Sequence, residues 1–166
     1  MVLYSIGHGA RSLAVFLELV QRHELRGIVD VRSFPGSRFH PQYNGKALQA
    51  SLESIGIAYY FLGASLGGRP KDSALLDSSG KPDYDAMAKA SRYLDGLKEL
   101  LHINDSSGPV AMMCWERDPR DCHRSKLIGA SLLEQGIDVV HIEAQGGIIL
   151  QSQLSGGSPR LLFDVQ

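Results

Sequence analysis

The sequence predicts a three-layer (helix/sheet/helix) α/β domain: a mainly parallel, Rossmann-like sheet of about five strands with helices on both faces. Three observations predict it. Short apolar runs alternate with segments whose apolar residues recur at helical spacing. Glycine or a Pro-Gly pair punctuates most of these segments. The chain has 166 residues, enough for one domain with a proper core, and it shows no internal repeat.

The elements follow in order. Val2–Ile6 is an apolar first strand closed by Gly7-His8-Gly9. Ser12 is a helix N-cap, followed by Leu13, Phe16, Leu17 and Val20 on one face. Gly27 leads into Ile28–Val31, a β-branched second strand that ends at Arg32 and the Pro35-Gly36 turn. Ala47, Leu48, Leu52 and Ile55 mark a second helix stopped by Gly56. Ile57–Leu62 is a third strand, and residues 63–82 form a long irregular stretch, which in a compact domain tends to be functional. Asp83 caps a third helix bearing Tyr84, Met87, Leu94, Leu97 and Leu101. Pro109–Met113 is a fourth strand. Asp121 caps a fourth helix with Leu127, Ile128, Leu132 and Leu133, ended by Gly136. Ile137–Ile142 is a fifth strand, and beyond Gly146-Gly147 the pattern weakens. Residues 1–150 thus make the domain. Residues 151–166 are a C-terminal tail, or supply an edge strand at Leu161–Val165.

Composition bounds the function. With 43% hydrophobic and 21% charged residues, disorder is excluded as the main state. A net charge of -1 gives no global footprint for nucleic acid. Residues 1–70 nevertheless hold seven Lys/Arg against four Asp/Glu, so a local basic patch can form. The opening VLYSIG is too short for a signal peptide, and no run reaches the length of a membrane helix. Two cysteines make no disulfide framework, so the expected setting is the reducing cytoplasm. No membrane partner, cofactor or metal is expected, and the sequence sets no oligomeric state.

In parallel sheets, ligands bind outside the carboxyl ends of the strands. The residues just past each strand are His8, Arg32, the Gly68-Arg69 loop, Cys114 with Glu116, and His141, so His, Arg and Cys gather on one edge. In the segment Cys114–Arg124 (CWERDPRDCHR), Cys122, His123 and Arg124 are read as the first helical positions. Their free amides and the helix dipole favour an anion, and the same field favours a thiolate at Cys122. Cys114 to Arg120 has the Cys-x5-Arg spacing of a phosphatase loop, but Glu116, Asp118 and Pro119 oppose a bound phosphate. Zinc at Cys114 and Cys122, completed by His8 or His141, lacks a standard knuckle spacing. A Cys114–Cys122 disulfide is disfavoured by cytosolic redox. Gly7-x-Gly9-x-x-Ser12 with Asp30 partly imitates a dinucleotide fingerprint but lacks its third glycine.

Asp30 in a buried strand needs a partner, and Arg32 is the obvious one. Either this pair fixes a loop, or Arg32, Arg38 and Arg69 converge on an anion. Tyr43, Tyr59, Tyr60 and Trp115 are candidates to stack on a base.

Several separated motifs stand in order: Ile6-Gly7-His8, Val29-Asp30-Val31-Arg32, Pro35, Ser37-Arg38, Leu66-Gly67-Gly68-Arg69, Met113-Cys114-x-Glu116, Pro119, Cys122-His123-Arg124, and Gly136 with His141-Ile142. Together they resemble the family called domain of unknown function 488, across about residues 2–142. The resemblance implies a compact α/β fold and no established activity. It marks His8, Asp30, Arg32, Arg38, Gly67, Gly68, Arg69, Cys114, Glu116, Cys122, His123 and Arg124. Gly9 departs from the usual Ser or Thr of the family, and Trp115 from a small residue. Arg120 is not a marked position, which weakens the phosphatase reading.

The expectation is an enzyme acting on an anionic, phosphate-bearing substrate such as a nucleotide or nucleic-acid component. Arg32, Arg38, Arg69 and Arg124, with His8, Asp30 and Gly68, form the binding side. Glu116 and His123 are acid–base candidates, and Cys114 or Cys122 is the nucleophile. The alternatives are a non-enzymatic module that binds nucleotide or nucleic acid, and a thiol-redox or sulfur-transfer protein using Cys114 or Cys122.

Overall fold

The computed structural model describes residues 2–156. Six strands form one sheet in the order β3-β2-β4-β1-β5-β6: β1 Tyr4–Gly7, β2 Gly27–Asp30, β3 Ala58–Phe61, β4 Val110–Cys114, β5 Val140–Ile142 and β6 Ile148–Leu150. All pairings are parallel except β5 with β6. The sheet is therefore the expected α/β sheet with one extra strand. β6 escaped the periodicity because three residues of a short hairpin are too few to show a pattern.

Helices cover both faces. The helices α1 (Leu13–Arg22) and α2 (Gly45–Glu53) pack Phe16, Val20, Leu48 and Leu52 on Ile6, Ile28, Ala111 and Met113. On the other face, α4 (Tyr84–Lys89), α5 (Ser91–Ser107) and the helix after β4 pack Met87, Leu97, Leu100 and Leu127 on Val29, Val110 and Met112. β4 shows the rule plainly: five buried residues alternate between the two cores, as side chains of period two must.

Three expectations need correction. The helix begun at Asp83 is two helices, because Ala90 adopts extended backbone (φ -69°, ψ 133°) between α4 and α5. The stretch 63–82 contains structure: α3 (Gly63–Leu66) and a 3-10 turn at Ser73–Leu75. Asp121 does not cap the helix after β4. It ends a 3-10 turn, Pro119–Asp121, capped by Asp118, and Cys122 is extended at φ -120°, ψ 147°. The helix starts beyond it as a π-helical turn, Arg124–Gly129, and runs on into α6, Ala130–Glu134.

The chain continues past residue 150 as packed structure. In α7 (Gln151–Leu154), Gln151 bonds His141 Nε2 at 2.7 Å, and the backbone N–H of Ser152 donates to Asp138. The suggested strand at 161–165 lies outside the described residues. Among the described residues, no helix is long and apolar enough to cross a membrane.

The topology places the site. From β1 the chain moves toward β2 on one side, and from β4 it moves to β5 on the other, while β1 and β4 are neighbours. α1 and α6 therefore leave on opposite faces, and a crevice opens above Gly7 and Cys114, where ligands of such sheets bind.

Candidate functional site

A cavity of about 780 Å³ lies at this crevice, within the usual range for small-molecule sites. Its walls bring together His8, Arg32, Gly68, Arg69, Cys114, Glu116, Cys122 and His123, from five separate stretches of chain. Asp30, Arg38 and Arg124 do not line it.

The loop after β4 is held tightly over β1. His8 N–H donates to Cys114 O at 2.9 Å and Gly9 N–H to Trp115 O at 2.8 Å. A Cβ on Gly7 would fall 1.8 Å from Glu116 O, so only glycine lets the loop cross there. This disposes of the dinucleotide reading, because the amides that would cradle a pyrophosphate are already spent on the loop.

Beneath the cavity lies the Asp30–Arg32 pair. Arg32 Nε and Nη2 donate to Asp30 at 2.9 and 2.6 Å, and Nη2 also reaches Tyr43 O at 2.8 Å. Arg32 Nη1 donates to His8 Nε2 at 3.2 Å, while His8 Nδ1–H donates to Gly9 O at 2.9 Å. This fixes the neutral tautomer of His8. Burial, followed by the Arg32 charge, brings its pKa down to about 3. Arg32 thus touches the cavity but is mostly committed to a structural ion pair.

Arg124 is held in the interior, its Nε without a partner among the described residues. It is fully buried, donating from Nη1 to Ser5 Oγ at 2.7 Å and from Nη2 to Glu116 O at 2.6 Å. Ser5 in turn meets His141 Nδ1 at 2.6 Å, and His141 meets Gln151. His141 is therefore an interior strut, held neutral by burial with its pKa lowered to about 4, and it does not face the cavity. Nor does the helix end offer free amides as expected. Cys122 is its cap: the Arg124 N–H meets Cys122 Sγ at 3.5 Å, and Ser125 and Lys126 donate to Cys122 O.

On the cavity floor, Cys114 ends β4, while Cys122 and His123 stand at the helix start. His123 Nδ1 is 3.7 Å from Cys114 Sγ and 3.6 Å from Cys122 Sγ. Its Nε2 lies 3.1 Å from Val31 O. A carbonyl only accepts, so Nε2 carries a proton and Nδ1 turns toward the sulfurs. The two thiols are coupled: Cys114 pulls the Cys122 thiol down, His123 and the buried Arg124 charge add to this, and burial opposes it. The Cys114 thiol is pushed up by that same contact and by burial.

A model of the family described as Domain of unknown function DUF488 matches residues 12–130. The chain belongs to the DUF488 family. The match spans the site residues from Asp30 to Arg124, and leaves out Ser5, Gly7, His8, Gly9, His141 and Gln151. No curated protein and no solved structure matches the chain.

The sequence names His123 as an acid–base candidate but offers His8 or His141 as the third group beside the cysteines; in the structure His123 is the shared neighbour of both. Adjacency to Cys122 was the signal. The aromatic rim is also different. Tyr43 is buried behind His8, stacked at 4.1 Å, and Tyr59 and Tyr60 bond Asp30 and Ser107 at 2.9 and 2.8 Å. Phe34 and Phe39 line the cavity instead, 78% and 84% exposed, with the rings of Trp115 and His40 beside them, tilted at 34° with centroids 5.0 Å apart. Two phenylalanines in a polar Pro/Gly/Ser loop, outside any apolar period, were the available clue.

Proposed function

We propose that the protein is an enzyme acting on a phosphate-bearing, nucleotide-like substrate, with Cys114, Cys122 and His123 as its reaction centre. One observation carries this reading. The only close grouping of two thiols and an imidazole among the described residues forms the floor of the main cavity. Arg69 is the exposed cation of the wall, and Arg32 keeps one Nη1 hydrogen for a ligand. Arg38 sits exposed in the same loop as Phe39 and steers anions toward the mouth. Exposed Phe34 and Phe39 give a base a face to stack on, which favours a nucleotide or single-stranded nucleic-acid piece over a plain phosphate ester. Glu116, exposed in the wall, is the acid–base group nearest in role.

The test is a turnover screen over nucleotides, oligonucleotides and sugar phosphates with the reduced protein. Hydrolysis or transfer should appear for a base-bearing substrate and fall at least 100-fold, about 3 kcal/mol, in Cys122→Ser and His123→Gln. Saturable binding without turnover, with Cys114→Ser and Cys122→Ser binding like the parent, would favour a non-enzymatic module.

A further inference from the structure

We propose that Cys114, Cys122 and His123 form a three-ligand site for a borderline-soft divalent transition ion of the zinc(II) class, with the fourth coordination position open to the cavity.

The distances carry the argument. The three ligand atoms lie within 4.8 Å of one another, with the sulfur–nitrogen separations at 3.7 and 3.6 Å. Zinc bonds of about 2.3 Å to sulfur and 2.0–2.1 Å to nitrogen, set at the tetrahedral angle, give a sulfur–nitrogen edge of about 3.6 Å. Both sulfur–nitrogen edges therefore match a bound ion, and the sulfur–sulfur edge, within 4.8 Å, has to reach about 3.8 Å. A plain thiol–imidazole pair needs one sulfur near one nitrogen, whereas here a single ring nitrogen faces two sulfurs.

The surroundings are those of a ligand histidine. Val31 O accepts from Nε2, so Nδ1 presents its lone pair to the sulfurs and the ring is held from behind. Gly68 makes room for the ring: a Cβ there would fall 2.6 Å from His123 Cγ and 2.9 Å from Nδ1. Both cysteines sit at the ends of regular elements, β4 and the capped helix, which fixes the geometry. No carboxylate joins the three donors, which disfavours calcium and magnesium. The seven-residue gap between the cysteines fits no zinc knuckle because these ligands come from a strand end and a helix cap, not from a turn. A water or a substrate oxygen completes the tetrahedron. In that last part, the inference rests on the phosphate-substrate reading.

The experiment uses the full chain, stripped with chelator, kept under a non-thiol reductant and titrated with Zn²⁺ against a chromogenic chelator. Co²⁺ serves as the spectroscopic probe. The expected result is one ion per chain at sub-micromolar affinity, with thiolate-to-cobalt charge-transfer bands and tetrahedral d–d bands. Cys114→Ser, Cys122→Ser and His123→Gln should each lose more than the roughly 10–100-fold that removing a partner of a ligand costs. His40→Gln, in the same wall, should bind like the parent. Should a ligand variant fail to fold, the parent still decides: Zn²⁺ must shield both thiols from a chromogenic disulfide reagent. The proposal is overturned by the absence of a stoichiometric ion, by thiols equally reactive with and without Zn²⁺, or by full affinity in any folded ligand variant. Air oxidation to a Cys114–Cys122 disulfide in place of ion uptake also overturns it and assigns the pair to redox chemistry. Ion uptake is read without turnover. An ion-loaded chain with no activity refutes only the enzyme reading, and an active chain with no ion refutes only this site.

Discussion

Arg32→Ala should destabilise the protein heavily, because Arg32 is chiefly a structural partner of Asp30. Asp30 is fully buried, and three of its contacts come from Arg32: the side-chain Nε and Nη2 at 2.9 and 2.6 Å, and the Arg32 backbone N–H at 3.1 Å. Truncation removes the two charged donors and leaves a carboxylate held by the backbone N–H and the Tyr59 hydroxyl. It also frees Tyr43 O and His8 Nε2 of their donor. Removing one member of a buried pair typically costs about 3–5 kcal/mol. For a domain of this size that is roughly 6–20 °C in Tm. Urea unfolding followed by circular dichroism gives the value directly. The double variant Asp30→Leu/Arg32→Met should regain at least half of the loss, since it removes the charge and its need together. A loss under about 1 kcal/mol for Arg32→Ala, alongside weakened anion binding, would refute the structural assignment and make Arg32 an anion clamp.

Three further outcomes are expected. Gly7→Ala places a methyl 1.8 Å from Glu116 O, so it should cost more than about 4 kcal/mol or prevent soluble expression; near-parental unfolding would contradict the tight loop crossing. His141 is neutral when folded, with a pKa near 4 against 6.5 unfolded, so the unfolded chain binds the extra proton. Its contribution is complete above about pH 6.5 and is lost as pH falls toward 4, by about 3 kcal/mol in all, and a flat ΔG over that window in urea titrations would be the contrary result. Phe39→Ser should leave stability within about 0.5 kcal/mol, since the ring is 84% exposed. It should weaken binding of a base-bearing ligand by about 1–3 kcal/mol, measured by calorimetry, and unchanged affinity would remove Phe39 from the site.

Much of the fold was legible because it repeats one local rule. β1 to β5 announced themselves as apolar runs and α1 as a capped amphipathic stretch, since each buries a face that the residues themselves encode. The break at Ala90 was not legible, because apolar positions on both sides kept helical spacing. The helix start after β4 was misplaced by one residue. Asp121 is the better cap by type, yet Asp118 takes the preceding turn and leaves Cys122 to close the helix.

The sequence by itself determined the α/β class, the family and the set of chemically able residues. Local periodicity and residue type are properties of the chain. Only the tertiary structure decided how those residues divide. Arg124, Asp30 and His141 were placed in the interior, where desolvation demands partners and takes up most of their hydrogen-bonding capacity, the Arg124 Nε excepted. Arg69, Glu116 and the two phenylalanines were left exposed at the cavity. The grouping of Cys114 with Cys122 and His123 required β4 and the following helix to meet above the sheet, a contact no spacing in the sequence encodes.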